Sequence, residues 1–258
     1  MYLVSIVNST STTVLYPSAK TSWVGGFLAN SNYALVVQAA NDAFNPIRYG
    51  ASSPVLSFTT GNPSMNGPAT SLRVVASTGG LLSMAWSDPV DTGGVPIQRY
   101  RVKWIDGRGI VQTGETLTPN YIIYQLWSNT SYTVQVQCNN GVPNALTQGW
   151  GPYSPAQSFQ TSDASLPSAP VQLLPSPVRS GGSVTMTWTP PDDTGGINIS
   201  RYFVLMKLWN ETNFYLSPNQ FQVEPTRYTV SGLYAQTAYN FRVLAQNTMG
   251  HVLLPGLF

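Results

Sequence analysis

With 258 residues the chain has room for tandem domains of about 100 residues, each burying its own core. Only 9% of it is charged, well under half the roughly 25% of ordinary soluble proteins. A net charge of +2 gives no electrostatic footing for nucleic acid or an anionic membrane.

The 12% aromatic content separates the chain from disordered sequences. Cys138 is the only cysteine, so no intrachain disulfide forms, which is neutral on compartment. No apolar run approaches the roughly 18 residues of a membrane span, and the first residues carry no basic leader or cleavage-like site.

The elements follow in order. At the start Tyr2, Val4 and Ile6 share one face of a strand, and Leu3, Ser5 and Val7 share the other. Tyr33, Leu35, Val37 and Ala39 alternate again, and a short strand closes at Phe58. Residues 61–67 form a Gly, Asn, Pro and Ser linker. Seven short strands follow, predicted over 71–76, 81–86, 99–105, 110–113, 120–124, 132–139 and 156–160. A second linker covers 162–168, and a third unit begins near Pro170. No stretch holds a helical period, and Pro or Gly interrupts the chain every ten residues or so. The expected fold class is all-β, with units over 1–61, 67–162 and 168–258.

One stretch occurs twice without a gap. Residues 86–102 return as 188–204, and Trp86 and Trp188 stand 102 residues apart. Pro89 matches Pro191, Asp91-Thr-Gly-Gly matches Asp193-Thr-Gly-Gly, and Tyr100 and Val102 match Tyr202 and Val204. Other marks tie all three units together. Phe27, Leu126 and Leu233 lie six residues before Tyr33, Tyr132 and Tyr239. Gly-x-x-Ser-Pro begins at Gly50 and again at Gly151, leading to Phe58 and Phe159.

In these marks the chain resembles fibronectin type III domains. That family carries a Pro near the first strand (Pro68, Pro170) and a core Trp on the second (Trp86, Trp188). It also has a Tyr-x-Val third strand (Tyr2 and Val4, Tyr100 and Val102, Tyr202 and Val204) and a Leu-then-Tyr corner (Leu126 and Tyr132, Leu233 and Tyr239). The resemblance implies tandem seven-stranded, immunoglobulin-like β-sandwiches that serve as spacers or binding modules. A large aromatic filling the roughly 10 Å gap between sheets agrees with it, as does a corner Tyr bonding nearby backbone. Two departures stand out. The first unit opens at the third strand, with no counterpart of the Trp strand, and the third has no Gly-x-x-Ser-Pro ending. The expectation is a window on a longer array, the alternative being strands supplied by a neighbouring copy.

Chemistry is sparse. His251 and Cys138 are far apart in sequence, and Cys138 shares an inward face with Val134 and Val136, so no nucleophile and base assemble. Asp88 with Asp91, and Asp192 with Asp193, offer two acids per loop where calcium takes 6–8 oxygens. Asp-Thr-Gly-Gly is better explained as a turn, with the Asp side chain capping it and Gly supplying positive φ. The Gly-Gly pairs precede strands, not helices, so none makes a phosphate site. No catalytic residue, cofactor or metal is implied.

Sequons stand at Asn8, Asn129, Asn198 and Asn210, all in or beside predicted turns, and make these the candidate N-glycan sites. Protein-interface candidates come from the outward faces of the third and sixth strands. The middle unit has Arg99, Arg101 and Lys103 there, an ordinary solvated face. The third unit has Phe203, Leu205 and Leu244, and the first has Leu3, Val7 and Val36, apolar residues where alternation predicts solvent.

The expected function is a non-catalytic structural or adhesive segment of a larger extracellular or cell-surface protein. Its partner is protein, through neighbouring domains or through self-assembly into a filament by those faces. The alternatives are a spacer array in a secreted enzyme, or an intracellular scaffold.

Overall fold

The computed structural model describes residues 2–7, 12–15, 26–41, 48–143, 147–217 and 226–251. These residues form nineteen strands and no helix, so no helix is long and apolar enough to cross a membrane. All pairings are antiparallel, which suits runs of β-branched and aromatic residues that alternate in and out.

The first five strands are β1 (Tyr2–Val7), β2 (Thr12–Leu15), β3 (Asn32–Asn41), β4 (Arg48–Ser52) and β5 (Leu56–Thr59). They make one sheet in the order β2-β1-β3-β4, with β5 also on β3. Val4 faces Val37 and Ile6 faces Leu35, which puts the predicted apolar set on one face. Tyr33 packs there with Phe27 and Phe58, at ring separations of 4.7 and 5.8 Å.

The middle unit holds β6 (Thr70–Ser77), β7 (Leu82–Ser87), β8 (Arg99–Ile105), β9 (Val111–Thr116), β10 (Asn120–Ile123), β11 (Ser131–Asn139), β12 (Trp150–Tyr153) and β13 (Gln157–Gln160). One sheet runs β10-β7-β6; the other runs β12-β11-β8-β9, with β13 on β11. Leu82, Met84 and Trp86 from the first meet Val102, Val134, Val136 and Cys138 from the second in a single core. That is a sandwich.

The third unit repeats it with β14 (Val171–Ser180), β15 (Ser183–Thr189), β16 (Arg201–Leu208), β17 (Tyr215–Leu216), β18 (Arg227–Ser231) and β19 (Tyr239–Gln246). The sheets are β14-β15-β18 and β17-β16-β19. The two copies agree at ring level: Trp86 lies edge-on to Tyr100 at 5.5 Å, and Trp188 to Tyr202 at 5.5 Å.

The corner is built three times. The phenol oxygens of Tyr33, Tyr132 and Tyr239 accept from the backbone N–H groups of Leu28, Trp127 and Tyr234 at 2.9, 2.9 and 3.1 Å. Tyr33 and Tyr132 are buried, and Tyr239 is half-buried.

The middle unit has eight strands where the sequence predicts seven. The added strand, β12, contains Gly151 and Pro152, whose turn character masks it. Gly-x-x-Ser-Pro is where the last strand breaks in two. The Ser154 N–H donates to the Val136 carbonyl at 2.7 Å while its hydroxyl accepts the Val136 N–H at 3.0 Å. Ser53 does the same to Val37 in the first unit. Pro155 and Pro54 carry no N–H, so the ladder cannot run through them.

Candidate functional site

Three features qualify: the outward sheet faces, the sequon turns and the joints between units. On the middle outward face the three cations are not simply solvated. Trp150 and Tyr153 of β12 lie across them, with the guanidinium of Arg101 4.1 Å and the ammonium of Lys103 4.3 Å from the ring centres. Trp150 is buried as a result, and Glu115 pairs with Arg101 at 2.8 Å. Stacking on a ring face is favourable for a cation and dries the stems of these side chains. Missing β12 is what made this face look ordinary.

On the third unit Leu205 and Leu244 occupy outward positions yet are buried within the chain itself. Phe214 lies over this face, 4.3 Å from the Arg242 guanidinium. Phe203 is half-buried and packs against the His251 ring, tilted, at 5.1 Å. On the first unit Val7 is exposed, and Leu3 and Val36 are half-buried. Of the six interface candidates, then, Leu205 and Leu244 are not open to a partner.

The repeated Asp-Thr-Gly-Gly is a turn, and its surroundings are more telling than its shape. Asp91 Oδ1 accepts the Gly93 N–H at 2.8 Å, and Asp193 Oδ1 accepts the Gly195 N–H at 2.8 Å. Both glycine pairs have positive φ, 72° and 76° in the first turn, 73° and 79° in the second. The carbonyls thus exposed bind other parts of the chain. Gly93 accepts from Ser64 of the linker, and Gly94 from Ala29 of the preceding unit at 2.8 Å. Gly195 accepts from Ser165, and Gly196 from Ser128 at 3.1 Å. A buried asparagine ties each linker down. Asn140 Nδ2 donates to the carbonyls of Ser64 and Thr92, and Asn247 Nδ2 to those of Ser165 and Thr194, all between 2.7 and 2.9 Å. Sequence alone pointed to the turn but gave no sign of its partners in the preceding modules, Ala29 and Ser128, which lie 65 and 68 positions upstream of Gly94 and Gly196.

The family model for the fibronectin type III domain matches residues 67–159 and 168–253, more than half of the chain. The chain belongs to the fibronectin type III family.

Exoglucanase B of Cellulomonas fimi is 28% identical over 88% of this chain. Neogenin of Homo sapiens is 28% identical over 78%. The chain spans 20% of the length of the first and 13% of the second. A solved two-module fibronectin type III segment of chicken tenascin matches with 19% identity and a TM-score of 0.33, covering 72% of this chain and 94% of that one.

The remaining polar candidates fit structural roles. The Cys138 thiol is fully buried, and burial first, then the charge of Asp88, pushes it from 9.0 up to about 12. Burial also raises the Tyr100 phenol, reinforced by its hydrogen bond to Asp88 and that carboxylate's charge. Folding therefore holds the thiol proton more tightly than the open chain does. This contribution to stability is complete below pH 9 and is lost as pH climbs toward about 12. Native protein at pH 8 is expected to resist iodoacetamide at Cys138, with alkylation proceeding at the unfolding rate. Fast native labelling would place the thiol at the surface.

Of the sequons, Asn129, Asn198 and Asn210 are exposed, and Asn8 lies outside the described residues. Asn129 sits at φ 53°, and its Nδ2, the atom a glycan would take, donates to Asp163 at 2.8 Å.

Among the described residues no three His, Cys, Asp or Glu side chains gather to hold a metal. His251 packs in the third module, remote from Cys138 in the middle one.

Proposed function

We propose that the chain is a structural spacer within a larger extracellular or cell-surface protein, acting by packing and orientation. One observation carries this reading: Asp-Thr-Gly-Gly, the most site-like motif in the sequence, caps its own turn with its acids and commits its glycine carbonyls to the seams between modules. Named relatives include a receptor, Ephrin type-B receptor 2 of Gallus gallus, and enzymes, Exoglucanase B and Chitinase A1 of Niallia circulans. A spacer serves either setting, and the enzyme relatives favour an accessory array beside a catalytic domain as the second reading. Filament assembly through the outer faces loses support on the third module, where Leu205 and Leu244 are already covered.

Sedimentation of the native protein with peptide mapping tests the reading. A monomer bearing glycan at one or more of Asn129, Asn198 and Asn210 is expected. Concentration-dependent polymers abolished by Val7→Lys would replace the spacer with an assembling segment. Bare asparagines throughout would remove the support that the sequons lend to an extracellular setting.

A further inference from the structure

The glycine pairs of the second joint have different reasons to be glycine. Gly195 and Gly196 need it for their own positive φ. Gly79 and Gly80, in the turn joining β6 to β7, have no such φ. Yet a Cβ on Gly79 would come closer than 3.0 Å to the Gly195 carbonyl and to that of Asp163. One on Gly80 would meet Asp193 Oδ1 and the amide nitrogens of Gly195 and Gly196 just as closely. Real Cβ atoms do not approach backbone so tightly, so glycine at 79 and 80 is required by the neighbouring module and the linker that leads to it, not by the turn's own backbone.

The third module supplies the control. Its β14 to β15 turn also carries a glycine pair, Gly181 and Gly182, with no positive φ. Among the described residues, a Cβ there would meet Ala235 Cβ at 3.8 Å and the Leu233 carbonyl at 3.5 Å, ordinary contacts. The turn itself therefore places no demand for glycine at 181 and 182 among the described residues. Nearby Tyr234 is 79% exposed, whereas its counterpart Trp127, beside the filled joint, is 44% exposed.

We propose that the glycines at 79, 80, 195 and 196 form a clamp that locks the second and third modules in one relative orientation. The surface formed by the β6–β7 turn and Ser128 recognises an Asp-x-Gly-Gly turn on the adjoining module. It does so by backbone contact closed to any larger residue. Polar bonds set the register. Thr78 Oγ1 donates to Asp193 Oδ2 at 2.7 Å, leaving Oδ1 for the Gly195 N–H. Ser128 donates to the Gly196 carbonyl at 3.1 Å, and Ser162 of the linker donates to the Thr78 carbonyl at 3.0 Å. With backbone on both sides, neither partner can repack a side chain to reach a second arrangement of similar energy. Tandem modules otherwise move relative to each other by default. This inference deepens the spacer reading, because a clamped joint transmits orientation and a loose one only length.

The test uses the full chain with spin labels at Leu117→Cys and Asn210→Cys, both exposed and on different modules. Pulsed electron-spin distance measurement is expected to give one narrow distribution. Gly79→Ala should at least double its width, and Thr78→Val should broaden it less. Gly181→Ala should leave it unchanged. Circular dichroism on each variant separates opening of the joint from loss of fold, since residue 79 has no backbone demand of its own. A broad distribution in the unsubstituted chain would overturn the clamp, as would a Gly79→Ala distribution as narrow as that of Gly181→Ala. Either result leaves the spacer reading standing, the first as a flexible tether and the second as a joint held rigid without the glycines, whereas polymerisation or bare sequons bear on that reading alone.

Discussion

Trp86→Ala is expected to lower the stability of the middle module by about 3–5 kcal/mol, the range for removing a large aromatic from a packed core. The side chain is 4% exposed and stands between the two sheets, against Tyr100 at 5.5 Å and within the cluster of Leu82, Met84, Val102 and Val136. No smaller neighbour can slide into that volume without breaking the ladder of β7 against β6 and β10. Trp86→Phe should cost less than half as much. The indole Nε1 has no hydrogen-bond partner here, so phenylalanine loses volume without orphaning an acceptor. Denaturant unfolding followed by circular dichroism gives both values. A shift under about 1 kcal/mol for the alanine variant would mean that Trp86 is not the wedge of this sandwich.

The fold was legible because its marks are local and periodic. Trp86 and Tyr100 sit at a fixed spacing on adjacent segments, and each falls on the apolar phase of its strand's alternation. The corner tyrosines were legible too, since Leu126 and Tyr132 are six residues apart and the Tyr132 phenol accepts from the Trp127 N–H within one turn. β12 was not legible. Trp150-Gly-Pro-Tyr carries turn residues, and what makes it a strand is pairing with β11, a non-local property.

The joint was half legible. Asp91 and Asp193 announce a turn through their own side-chain bonds, but whether anything docks on that turn depends on residues a domain away. Gly79 and Gly80 look no different in sequence from Gly181 and Gly182, although among the described residues the first pair is enclosed and the second makes ordinary contacts. The face of Leu205 and Leu244 was misleading for a related reason. Alternation assigns side chains to faces but does not say what lies on them, and here Phe214 lies over that face.

The three modules should open in a fixed order under native-state hydrogen exchange: first, third, then middle. Among the described residues, fourteen buried apolar or aromatic side chains form the middle core, eight the third and three the first. Burial of apolar area supplies most of the free energy that holds strands closed, at about 25 cal/mol per Å², and local opening follows the elements with least of it. The middle module adds Trp104 and Ile123 to the shared Trp, Tyr and Val frame, and its outward face is stacked under Trp150. Amides of β7, β8 and β11 should therefore exchange slowest, those of β15, β16 and β19 at an intermediate rate, and those of β1 and β3 fastest. Exchange followed by mass spectrometry on peptides from each strand would show the order. Protection of β1 and β3 outlasting that of β11 would refute it. The joints sharpen the prediction. Ala29 donates to Gly94 across the first joint, so Asn140→Ala, which frees the Ser64 and Thr92 carbonyls, should speed exchange in the first module as well as at the linker. If exchange rises only at residues 64 and 92, the modules are thermodynamically independent and the seams align them without stabilising them.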